Sequence, residues 1–138
     1  MEIEVRDSKA QCKNSGGVAE LLRGILAADS EIDQDKEHVW VLGLTRRNSV
    51  KYLELVSLGT LEASLMHPRE IYRMAILKGV SSIIVGHNHP SGNLNPSQED
   101  TTITKQLSEA GRIVGIKLLD HVIVTKEAHF SFADTGLL

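Results

Sequence analysis

His87 and His89 stand two residues apart at the end of the apolar run Ser82-Ile83-Ile84-Val85-Gly86, and Asp100 follows beyond a polar loop, residues 90–96. In extended backbone, residues two apart point to the same side, so both imidazoles can reach one ion while Asn88 faces away. Pro90 biases His89 toward extended geometry and ends the strand ladder, which fixes the direction of both rings. Asp100, in the first turn of a helix that starts at Ser97, is the nearest acid that a rigid element could hold. Two imidazoles and one carboxylate leave the fourth position of a zinc ion for water, the arrangement of a catalytic site. The same residues have a second explanation. Ser97-Gln98-Glu99-Asp100 is also a helix start, with Ser97 as N-cap and Asp100 as the capping-box acid, and on spacing alone the two readings stand level.

The elements that must position these groups follow from periodicity. Residues 2–7 alternate apolar and charged side chains, the pattern of a half-exposed strand, and residues 8–17 are a polar, glycine-bearing turn or loop around Cys12. From Val18, the residues Leu21, Leu22, Ile25 and Leu26 recur at helical spacing, fading at residues 28–30, and the mostly acidic residues 31–37 read as a solvated connection. Residues 38–44 read as a strand buried on both faces, residues 46–49 as a turn and residues 50–57 as a second strand, a hairpin that residues 58–61 extend or bend, with Gly59 marking a bulge or a close backbone approach. Pro68 opens the next helix, with Ile71, Met74, Ala75 and Leu77 as its buried face and Lys78-Gly79 as its stop.

Residues 80–86 form the strand that delivers the histidines. The helix from Ser97 carries Ile103, Leu107 and Ala110 inward and ends at Gly111. Two further strands, residues 113–119 and 121–125, are separated by Asp120, and residues 129–133 make a last extended piece. The expectation is an α+β domain with a mixed or antiparallel sheet and about three helices. Residues 1–17 form a strand and loop at its edge and residues 18–138 its body, with no repeat or linker.

Bulk properties narrow the function. At 138 residues and 41% hydrophobic, the chain suits one domain with a real core. A net charge of -3 argues against a broad basic face for nucleic acid. A single cysteine suits a reducing cytosol, the charged alternating start is unlike a signal peptide, and no apolar run approaches a membrane span. A cytoplasmic protein with no membrane partner is expected.

With these residues in place, His-x-His, seven residues, Ser, two residues, Asp resembles the motif of the JAMM (JAB/MPN+) metalloproteases. The surrounding His-Asn-His-Pro-Ser-Gly and the later Leu119-Asp120-His121 look like the RadC-like branch of that superfamily, and the likeness runs from about the first helix to the last strand, including the helix start His67-Pro68-Arg69-Glu70. The resemblance implies a JAB/MPN-like (cytidine-deaminase-like) mixed sheet flanked by about three helices. It implies one Zn2+ per chain held by His87, His89 and Asp100, with Ser97 donating a hydrogen bond to a tetrahedral oxyanion. It further implies an upstream glutamate that holds or deprotonates the zinc water, and cleavage of an amide or isopeptide bond in a peptide or protein substrate. In the superfamily that glutamate precedes or opens a buried strand, and Glu37, directly before residues 38–44, matches. Glu54, Glu62 and Glu70 are the alternatives, the last at a helix start that favours an acid in any case. Many RadC-like chains carry an N-terminal helix-hairpin-helix region. Here a short segment precedes the first helix, so nucleic acid enters by family association alone.

Two other classes compete. A metal-dependent nuclease is suggested by the letters His-Asn-His, but in those enzymes the residues are spread through a longer ββα-metal element. A non-catalytic metal-binding module would keep the fold and bind a partner. Of the remaining polar residues, Asp120-His121 reads as a hydrogen-bonded turn in preference to a carboxylate steering a ligand histidine. His38, His67 and His129 read as structural, Trp40 as core and Arg46-Arg47 as a solvated turn, and Ser91 lacks the context of a serine nucleophile. Exposed sheet edges would permit a homodimer.

Overall fold

The computed structural model describes residues 2–3, 14–59 and 66–138. Its frame is a six-stranded mixed sheet of order β1-β3-β2-β4-β5-β6. The strands are β1 (Glu2–Ile3), β2 (Glu37–Leu44), β3 (Val50–Gly59), β4 (Ser82–Asn88), β5 (Lys117–Val124) and β6 (His129–Ser131). Helix α1 (Ser15–Ala27) covers one face; α3 (Pro68–Lys78) and α4 (Gln98–Val114) lie on the other, and a single turn, α2 (Glu31–Gln34), precedes β2. All pairings are antiparallel except β4 with β5, whose crossover is α4, so the sheet is mixed.

The central strands are buried on both faces, and their side chains alternate between two cores. Val39, Val41, Ile83 and Val85 join Ile71, Ala75, Ile103 and Leu107 beneath α3 and α4. Trp40, Leu42, Leu44, Ile84 and Val122 meet Val18, Ala19 and Leu22 of α1. At roughly 1.5–3 kcal/mol for each large apolar side chain withdrawn from water, these two layers hold β4 between them. The β4 burial is complete from Ser82 to Asn88, so the strand that leads into the histidines is held on both faces.

Several sequence expectations are corrected. The helix expected from Val18 begins at Ser15, because Asn14 caps it by accepting the Gly17 N–H at 2.8 Å. The stretch at residues 31–37 is not all connection: Ser30 accepts the Asp33 N–H and opens α2, a Ser-x-x-Asp start that the acidic composition masked. Leu77 is 74% exposed, and Tyr72 takes the buried position beside Ile71 and Ala75. Cys12, Glu62 and the rest of residues 4–13 and 60–65 lie outside the described residues.

Two corrections concern α4 and β5. The helix does not stop at Gly111 but continues through Ile113 and Val114 to Gly115, which takes the left-handed conformation at φ 77° and closes it. Strand-forming Ile113 is thus a helical residue, 70% exposed, and tertiary context overrides its propensity. Gly111 serves a close approach: a Cβ there would meet the Tyr72 hydroxyl at 2.3 Å and the Ile116 carbonyl at 2.4 Å. Asp120, expected to separate two strands, sits inside one continuous β5. Opposite it the register shifts: Ile83 pairs with Leu118 but Ile84 with Asp120, so Leu119 is a bulge.

Gly111→Ala is expected to destabilise the protein although alanine is the better helix former by about 1 kcal/mol. Overpacking against a backbone carbonyl costs roughly 1–3 kcal/mol, so thermal unfolding should shift down by several degrees. A variant that melts at or above wild type would refute this packing.

Candidate metal centre

The site lies where β4 leaves the sheet. His87 is within the strand and His89 one residue past it, its N–H still bonded to the Val124 carbonyl at 3.0 Å, so strand alternation turns both rings to the α4 side. A turn closes immediately after, Gly92 N–H to the His89 carbonyl at 3.0 Å with Pro90 in its second position, and brings the Asn93 carbonyl to 2.7 Å from His89 Nδ1. A carbonyl only accepts, so Nδ1 carries the proton. His89 Nε2 is therefore the nitrogen aimed at the centre.

There the ligand atoms of His87, His89 and Asp100 lie within 4.8 Å of one another. His87 Nε2 and His89 Nε2 are 2.8 Å apart, and the two Asp100 oxygens stand 3.5 Å from them, Oδ1 facing His87 and Oδ2 facing His89. His87 is fully buried and Asp100 is 4% exposed. Nitrogens and a carboxylate that converge in a buried corner need a hydrogen or a cation among them. A proton is one candidate: the bond to Asp100 draws His89 above the ordinary histidine value. A divalent metal is the other, and two imidazoles with a carboxylate are a donor set that it accepts. Burial pushes His87 down to about 4, so its ring enters the site uncharged, as a ligand must. Burial alone would raise Asp100, but the hydrogen bonds from His89 and Ser97 outweigh it and hold the carboxyl well below its usual range.

Asp100 meets both demands that its sequence context posed. The capping box is complete: Ser97 Oγ accepts the Asp100 N–H at 3.0 Å, and Asp100 Oδ2 accepts the Ser97 N–H at 2.8 Å. Oδ1 is not part of that exchange and remains directed at His87. One carboxylate in one rotamer can therefore serve as both helix cap and metal ligand, and the N-terminal end of α4 further favours its charge.

Glu37 and Ser97 fall at the same place. Antiparallel pairing sets Val39 beside His87, so Glu37, two residues earlier on the same face, lies across from His89. Glu37, His89, Ser97 and Asp100 line one cavity of about 180 Å³, walled on its apolar side by Met66 and Ile103. Ser97 Oγ accepts inside the capping box and keeps its own proton for the cleft. Of the alternative glutamates, Glu70 lies in the first turn of α3 and pairs with Arg69 and Arg73, and Glu54 sits in β3 opposite Val41.

Three residues were missed or misassigned. Asn88, which faces away from the ligands as alternation requires, accepts the His38 N–H at 2.5 Å and donates to the Lys36 carbonyl at 2.9 Å, so its side chain brackets Glu37. His121 lies behind His87, Nε2 to Nδ1 2.7 Å, and Thr104 lies behind His121 at 2.6 Å. The sequence points to Asp120 for a turn, or for a carboxylate steering a histidine. Asp120 instead accepts the Ser131 hydroxyl at 2.5 Å and the N–H groups of His121 and Ala133, and it is His121 that touches the ligand. The remaining histidines are structural: His38 stacks on Trp40, His67 caps α3 and His129 meets Ser15.

Residues 13–137 match the family model described as the RadC-like JAB domain. A UPF0758 protein of Chlorobium chlorochromatii is 50% identical over 106 residues, covering 77% of this chain and 48% of the relative. One of Chlorobaculum tepidum is 43% identical over 133 residues, 96% of this chain and 58% of the relative. One of Listeria monocytogenes is 48% identical over 101 residues, 73% and 45%. The chain thus spans about half the length of the curated relatives it matches. No helix among the described residues is long and apolar enough to cross a membrane.

Asp100→Asn keeps an oxygen for the Ser97 N–H but loses the charge, whereas Asp100→Ala loses cap and ligand together. Melting of the metal-free variants should show the alanine costing about 1 kcal/mol more than the asparagine. Both should bind zinc more than about 100-fold more weakly than wild type, beyond the cost of an outer contact. Wild-type affinity in Asp100→Asn would leave Asp100 a cap alone.

Proposed function

The chain belongs to the family of RadC-like JAB domains, within the JAB/MPN superfamily, and we propose that it is a zinc-dependent hydrolase that cleaves an amide or isopeptide bond in a peptide or protein. The observation that carries this reading is the convergence of His87, His89 and Asp100 on one point, with Glu37 and Ser97 on the wall of the same cavity. Zinc at that point would act as a Lewis acid and bring the pKa of a bound water near 7.

The chain's own residues account for the rest. Glu37 takes a proton from the attacking water and returns it to the leaving amine, general acid–base work that commonly contributes about 10²–10⁴-fold. Ser97 donates its hydroxyl proton to the oxygen that becomes negative as the carbonyl turns tetrahedral. Its position is set by the capping box, so it does not have to be ordered at the moment of reaction. Asn88 holds the backbone on both sides of Glu37, which fixes the point from which its side chain reaches toward the histidines. The resemblance of the motif to JAMM metalloproteases directs the choice of bond, and the amide is the substrate whose cleavage uses each of these groups.

Purified protein loaded with zinc should hydrolyse members of a peptide and isopeptide library. Glu37→Gln should keep one zinc per chain and lose about 10²–10⁴-fold in kcat. Ser97→Ala should lose roughly 10²-fold or more while also keeping its metal. Full zinc occupancy in wild type with no turnover of any library member would instead favour a binding module. Magnesium-dependent plasmid nicking that requires His87 would favour a nuclease.

A further inference from the structure

We infer that Thr104 and His121 are positioning residues that lock His87 in the tautomer whose Nε2 lone pair faces the metal point, an inference that rests on the metal reading of the site. Counting protons carries the argument. Thr104 Oγ1 lies 2.6 Å from the Asp100 carbonyl and 2.6 Å from His121 Nδ1. The carbonyl has no proton to offer, so the threonine hydroxyl spends its single proton there and must accept from His121. His121 Nδ1 therefore bears a hydrogen.

His121 is fully buried, its ring stacked on Phe132 at 4.7 Å and 10°. A neutral ring with its proton on Nδ1 has only a lone pair at Nε2, and Nε2 is 2.7 Å from His87 Nδ1. The proton of that contact belongs to His87, which leaves His87 Nε2 bare and directed at His89 and Asp100. Three donors thus run one way, from His87 to His121 to Thr104 to the Asp100 carbonyl. The chain ends on the residue that supplies the carboxylate, so the ligand set and its tautomer are fixed by one closed circuit.

The bulge in β5 makes the circuit reachable. Leu118 faces the α3 and α4 core, and simple alternation would send His121, three residues on, to the α1 side. The extra residue Leu119 restores the phase, so His121 pairs with Val85 and shares the face of His87. Asp120 secures the bulge by accepting the His121 and Ala133 N–H groups and the Ser131 hydroxyl, and Phe132 N–H bonds the His121 carbonyl at 3.0 Å. A ring kept merely to fill space would require none of this polar registration.

The test is long-range proton–nitrogen NMR on metal-free protein with ¹⁵N-labelled histidine. His87 and His121 should both appear as Nδ1–H tautomers, and an Nε2–H form of His121 would overturn the inference. Thr104→Val removes the hydroxyl at constant shape. It should release His121, shift His87 toward the Nε2–H form and weaken zinc about 10–100-fold in chelator competition, with Thr104→Ser restoring both readings. Unchanged tautomers and affinity in folded Thr104→Val would overturn it as well. Should Thr104→Val fail to fold, the wild-type spectrum and Thr104→Ser still decide. A wild type that binds no zinc would remove the metal reading, while the spectrum would still report whether the tautomers are locked.

Discussion

Register is the constraint on which this site depends. Side chains of a strand change face at every residue, so a slip of one position between β4 and either neighbour would send the histidines to one core and their partners to the other. Pairing with β2 sets Glu37 across from His89, and pairing with β5 sets His121 behind His87. The bulge at Leu119 does not disturb that register but completes it, since without the extra residue the two requirements on β5, an apolar Leu118 in one core and a His121 in the same layer, would conflict. The double burial of β4 is what makes the register strict. Each face is claimed by a different core, and neither can exchange its side chains for those of the other.

Polar groups in the buried corner are linked in a consistent order. His89 gives its spare proton to a loop carbonyl, His87 to His121, and the capping box supplies Asp100 with a backbone donor while sparing one oxygen. Each contact disposes of one hydrogen-bonding group away from the centre, which leaves the lone pairs that converge. A centre built in this way favours a cation, either a metal ion or the proton that Asp100 draws onto His89. The N-terminal end of α4 adds to the preference for a carboxylate at this position.

Much of this was legible in the residues. Alternation placed His87 and His89 on one side, Pro90 marked the end of the ladder, and the Ser97 to Asp100 spacing announced the helix start that does hold the carboxylate. Glu37 is singled out by the resemblance, and β-pairing sets its backbone near His89, two residues before the Val39–His87 pair. What could not be read was anything that depends on which strands become neighbours. His121 is far from His87 in sequence and meets it only because the crossover through α4 sets β5 parallel to β4. Asp120 interrupts an apolar stretch of the sequence, but such an interruption is equally a turn or a bulge until the pairing is known. Gly111 failed as a helix stop for a similar reason, since its neighbours Tyr72 and Ile116 come from other parts of the chain.

Asn88 sits between two ligands and fastens the start of β2, and this divides the cleft into unequal halves. On the sheet side, any displacement of the Glu37 backbone relative to β4 would break two hydrogen bonds made by Asn88 of that strand. That wall moves as one body or not at all. The opposite rim, residues 90–96, is largely exposed and is stitched by short-range contacts within the loop itself. Under the proposed reading, accommodation of substrates of different bulk would fall to one lip of the cleft, while the other holds the backbone of Glu37.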